Sequence, residues 1–133
     1  MHIFIVMSIS KILAEFDTVF DDEKLYQIFV DYCRKVLAIK SDFKLTYTDD
    51  KSLTRTYGHF IPSENSILVY VGSRSMGDVF RTIAHELVHV KQNELNLLNA
   101  GAGDDGSDIE NQANTVAGII LRKFGRLYPT IYQ

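Results

Sequence analysis

Residues 78–98 run Asp78-Val-Phe-Arg-Thr-Ile-Ala-His85-Glu86-Leu-Val-His89-Val-Lys-Gln-Asn-Glu-Leu-Asn-Leu-Leu98. Apolar residues recur here at helical spacing. Val79, Phe80, Ile83, Leu87 and Val90 gather on one side of a helical wheel that turns about 100° per residue. His85 and His89 project from roughly the opposite side, one turn apart. Two imidazoles at that spacing can chelate one zinc ion, and a Glu directly after the first can reach a water on that ion. A chain that uses this helix in that way needs a core for the apolar side. For the histidine side it needs a cleft wall and a third ligand.

Upstream of the helix the pattern changes to strands. Phe43–Thr48 alternates apolar and polar residues, 54–60 is rich in Thr and aromatics, and Ile67–Val71 is a β-prone run. Asp49–Ser52 and Pro62–Ser66 supply turn residues between them. The expectation is a small, mainly antiparallel three-stranded sheet with hairpin connections. Gly72–Gly77 ends the last strand, and Ser75 or Asp78 is placed to cap the long helix. Before the sheet, Leu25, Ile28, Phe29, Tyr32, Cys33, Val36 and Leu37 mark an amphipathic helix over 22–39, opened by Asp21-Asp22. Ile9, Ile12, Leu13 and Phe16 have helical spacing within Ser8–Phe20. Cys33 lies on the apolar stripe and reads as a small buried residue, not a reactive thiol.

Downstream, 99–106 is a Gly- and Asp-rich connector whose acids lack the alternating spacing of a calcium loop. Ser107 or Asp108 then caps a last helix over 109–124 with the stripe Ile109, Ala113, Val116, Ala117, Ile120, Leu121 and Phe124. Glu110 and Asn114 lie along that inward stripe. A carboxylate in the first turn suits the helix dipole, but its inward direction is costly unless it is paired or bound to a metal. A zinc ion held by the preceding helix accounts for both. Residues 125–133 are expected to leave the helix as an extended tail.

The composition agrees with one soluble domain over 1–133, with 1–7 as an extension that ends at a second methionine, Met7. Of the 133 residues, 46% are hydrophobic and 23% charged, ordinary values for a globular protein. A net charge of −3 with no basic stripe argues against a nucleic-acid partner. No apolar run is long enough to span a bilayer, and no signal-peptide pattern opens the chain. The single cysteine rules out an internal disulfide and fits a reducing, cytoplasmic setting, so any zinc must be held by His and carboxylate.

With Glu110-Asn-Gln-Ala113-Asn114-Thr-Val-Ala117 following His85-Glu86-Leu-Val-His89, the chain resembles the gluzincin class of zinc metallopeptidases, in particular the minimal gluzincins and the ImmA/IrrE-type peptidases. The resemblance covers most of the chain, and its specific part is the two motifs in this order. It implies an α+β, zincin-like scaffold: N-terminal helix or helices, a small three-stranded sheet, an active-site helix and a glutamate helix. It implies one zinc ion held by His85, His89 and Glu110, with Glu86 as general base. Asn114, one turn after Glu110, matches the position from which such proteins hydrogen-bond a ligand histidine. The short length is compatible with a phage or mobile-element origin.

The expected reaction is amide hydrolysis on a peptide or protein, with substrate added along a sheet edge at 57–60 or 67–71. A further donor to the oxyanion is sought among His59, Tyr128 and Tyr132, and the Tyr-rich tail is placed to fold back into the cleft. The competing reading is a catalytically weak or inactive binding module that keeps the fold. Glu86 favours the enzyme, because a structural zinc site needs no base.

Overall fold

The computed structural model describes residues 22–98 and 107–132. The expectations for 1–7, 8–20 and 99–106 lie outside the described residues. The first helix, α1, is Asp22–Val36. Acids in its first turn and Arg34 and Lys35 in its last complement the helix dipole, while Leu25, Phe29, Val30 and Cys33 are buried. It stops short of residue 39 because Ala38 takes a left-handed φ of 52°.

Strands β1 (Lys44–Thr48), β2 (Gly58–Ile61) and β3 (Ser66–Tyr70) form one sheet in the order β1-β3-β2. The α+β class and the three strands are those expected. The sheet is mixed: β2 and β3 form the antiparallel hairpin, whereas β1 runs parallel to β3. No hairpin joins β1 to β2. The chain leaves β1 through a 3-10 turn, Lys51–Leu53, and passes to the far side of β3. Asn65, in the turn before β3 with φ 49°, helps to fix this order. Its amide nitrogen donates to Asp42 O at 2.7 Å and Ser41 Oγ at 3.1 Å, and its carbonyl accepts from Lys44 N at 3.0 Å. These bonds set the starts of β1 and β3 side by side.

The next helix, α2, is Met76–Glu94, capped by Ser75, whose hydroxyl accepts from Asp78 N at 3.1 Å. Its far end is fastened to the α1–β1 connection. The Glu94 carboxylate accepts from Ser41 N at 2.8 Å, Ser41 Oγ at 2.6 Å and Lys40 N at 3.0 Å, and Lys91 donates to Ala38 O at 2.8 Å. Helix α3, Asp108–Leu127, is capped by Ser107, whose hydroxyl accepts from Glu110 N at 3.2 Å.

The core lies where α1, α2 and α3 meet above the sheet. Phe80 stacks on Phe29 at 4.3 Å between ring centroids, and Phe124 meets Phe29 edge-on at 4.9 Å. Such pairs add to the burial of three large rings. The chain end differs from the extended tail expected. Helix α3 continues to Leu127, and Pro129–Tyr132 closes as a 3-10 turn with Ile131 buried. Tyr132 lies across Gly125, where an added Cβ would run into its ring. No helix among the described residues is long and apolar enough to cross a membrane.

Candidate metal centre

His85 and His89 share the face of α2 that looks onto the first turn of α3. The histidine spacing puts both rings on one side of α2, and Ala113 and Ala117, buried on α3, are small side chains of the kind that let two helices approach closely. His85 Nε2 lies 3.1 Å from His89 Nε2. Glu110 Oε1 is 3.2 Å from the first and Oε2 is 3.0 Å from the second. One ligand atom from each residue falls within 4.8 Å of the others.

The Asn114 side chain hydrogen-bonds His85. Burial lowers the His85 pKa, as does neighbouring His89, and the opposing pull of Glu110 and Asn114 does not cancel them. His89 is supported from its other nitrogen: Nδ1 lies 2.7 Å from Gln92 Oε1. The amide nitrogen of Gln92 donates to Ile109 O at 3.1 Å and Gln112 Oε1 at 2.8 Å.

This donor set fits a divalent cation. If both rings carry their proton on Nδ1, two lone pairs face two carboxylate oxygens around one point, which only a positive charge reconciles. Two imidazole nitrogens and a carboxylate are a recurrent set for such an ion, leaving room for a further ligand.

Glu86 is 6% exposed. Burial, with the charge of Glu110 adding, pushes its carboxyl up to about 8. It looks into a cleft of about 940 Å³ walled by α2, α3 and β2 and lined also by His85, His89, Glu110, Asn114 and His59. Strand β2 is the sheet edge that borders the cleft. Strand β3 is central, so of the two edges considered only the one at 57–60 faces the site.

The structure thus brings His85, Glu86, His89, Glu110 and Asn114 together and puts His59 on the rim. It does not bring Tyr128 and Tyr132 there. Tyr128 stacks on Phe124 at 4.7 Å, and the Tyr132 hydroxyl donates to Leu121 O at 3.4 Å, so the tail packs on the core and does not fold back into the cleft.

Two contributors were not singled out from the sequence. Gln92 is one; its position three residues after His89, on the same helical face, was the available signal. Arg74 is the other. It donates to Tyr70 O and Thr82 Oγ1, each at 2.7 Å, and lies 4.2 Å above the ring of Tyr57 at the cleft mouth. No local pattern marks that role.

No protein-family model, curated protein or solved structure matches the chain. A functional reading therefore stands on the geometry above.

Proposed function

We propose that this protein is a zinc-dependent peptidase of the gluzincin type. The observation that carries the reading is the convergence of His85, His89 and Glu110 beside a buried carboxyl, Glu86, in a cleft bordered by a sheet edge. His85 and His89 would hold the ion through Nε2 and Glu110 through its carboxylate. Bound there, zinc supplies Lewis acidity toward a carbonyl and acidifies water, and its charge favours the ionised form of Glu86.

The chain's own residues supply the rest. Glu86 takes the proton of the attacking water on its carboxylate and passes it to the leaving nitrogen, as a general base and then acid. Burial raises its proton affinity in the metal-free protein, and the zinc charge would oppose that rise, so the two act in opposite directions on the group that must both accept and donate. The edge of β2 offers backbone groups along which an extended peptide can lie, which sets the scissile carbonyl across the cleft from α3. His59, exposed on β2, lines the cleft beside the proposed metal ligands and is the candidate donor to a substrate oxygen.

The test is metal analysis of protein purified without added zinc, alongside Glu110→Ala and Glu86→Gln. Near-stoichiometric zinc that falls in Glu110→Ala supports the ligand set, and full retention in that variant overturns it. Glu86→Gln keeps the metal and loses cleavage of an unfolded protein substrate. Unchanged turnover in Glu86→Gln removes the base assignment.

A further inference from the structure

We infer that Gln92 is a positioning residue that fixes the proton of His89 and ties His89 to the turn bearing Glu110; the inference rests on the metal-site reading above. Gln92 is 2% exposed, and its whole amide is engaged.

The orientation of that amide follows from its partners. Ile109 presents a backbone carbonyl, which only accepts, so the Gln92 NH2 group must face it. That NH2 has two hydrogens, and Gln112 Oε1 takes the second. The Gln92 oxygen is then left facing His89 Nδ1 at 2.7 Å, and an oxygen there only accepts. His89 must therefore carry its proton on Nδ1. Whenever the ring is neutral, its Nε2 lone pair is then the one aimed at His85 and Glu110.

A free imidazole shares its proton between two nitrogens. In this site the wrong choice would block the nitrogen that faces the other donors. Gln92 removes the choice before any ligand arrives, and because it is neutral it adds no charge beside the ion.

The same amide does a second job. Ile109 directly precedes Glu110, so the bond from Gln92 to Ile109 O holds the first turn of α3 against α2. One side chain sets the protonation of one ligand and the placement of another. Asn114 reaches His85 from α3.

The experiment uses the full chain, with Zn2+ as the probe against a chromophoric chelator, and the variant Gln92→Met, which keeps the bulk and removes the hydrogen bonds. Zn2+ affinity is expected to fall about 10–100-fold. An affinity within about twofold of wild type overturns the inference.

Long-range 1H–15N spectra of the metal-free wild type, taken at a pH where the spectra themselves show a neutral ring, are expected to show His89 protonated at Nδ1. In Gln92→Met the proton should redistribute toward Nε2. A wild-type His89 protonated at Nε2 overturns the inference, and this reading stands even if Gln92→Met does not fold. A wild type that takes up no Zn2+ defeats the metal-site reading instead, and the spectrum still decides the role of Gln92.

Discussion

Gly58 of β2 lies against the carboxyl of Glu86: a Cβ at position 58 would stand 2.9 Å from Glu86 Oε2 and 2.6 Å from Thr82 Cγ2. The sheet edge and the proposed base are therefore in contact through a residue with no side chain. Gly58→Ala should force β2 off α2 or turn Glu86 aside, at a cost of about 1–3 kcal/mol. Zinc binding should survive, because neither histidine nor Glu110 is touched, while cleavage falls. Equal activity in Gly58→Ala and wild type would show that this contact does not matter.

The end of the chain should matter for stability and not for access to the cleft. Ile131 is 1% exposed, and burying such a side chain contributes about 1.5–3 kcal/mol. A chain ending at Tyr128 should lose about that much in denaturant unfolding. Its zinc uptake should match the full chain. An increase in cleavage on truncation would restore the idea of a blocking tail.

Glu86 also gives the metal-free protein a pH signature. Its carboxyl is raised from 4.5 to about 8 in the folded state. Between those values the folded form binds the extra proton, so stability is greatest below the unfolded pKa and declines as pH rises through the folded one. The slope is at most about 1.4 kcal/mol per pH unit. Glu86→Gln lacks it. With chelator present, the variant should gain on wild type as pH rises from about 5 to 8. His85, with its lowered pKa, contributes an opposite slope to both proteins, which cancels in the difference. Parallel thermal midpoints across that window would contradict the burial of the Glu86 charge.

Two serine caps of the same chemistry should separate fold from site. Ser75 caps α2 and Ser107 caps α3, each through its hydroxyl. Replacing either by Ala should cost about 1 kcal/mol. Only Ser107 accepts from Glu110 N, so only Ser107→Ala should also weaken zinc binding. Calorimetric stability and chelator competition on both variants decide this; equal affinities would detach the cap from the ligand.

The parts legible in the sequence were those whose signal is periodic. His85, His89 and the apolar stripe of α2 follow from one 3.6-residue repeat, and Glu110 stood out because an inward carboxylate contradicts its own stripe. The parallel pairing of β1 with β3 was not legible. It rests on Asn65 bonding back to Ser41 and Asp42, more than twenty positions away, and no local pattern encodes that closure. Gln92 was missed for a related reason. A polar residue next to a polar motif reads as solvent-facing until the partner helix arrives to bury it. The tail was misjudged because Gly125 reads as a helix stop, whereas its missing side chain instead makes room for Tyr132.

Lys91 and Glu94 fasten one end of α2, and Ser75 with Arg74 fastens the other. The helix bearing His85, Glu86 and His89 is in effect a beam clamped at both ends. Glu110 rides on the first turn of α3, where the Ser107 hydroxyl accepts from Glu110 N and the Gln92 amide donates to Ile109 O. The proposed histidine ligands thus stand on a helix anchored at both ends, and Glu110 stands on a helix start held by two side chains, one of them from the histidine helix itself.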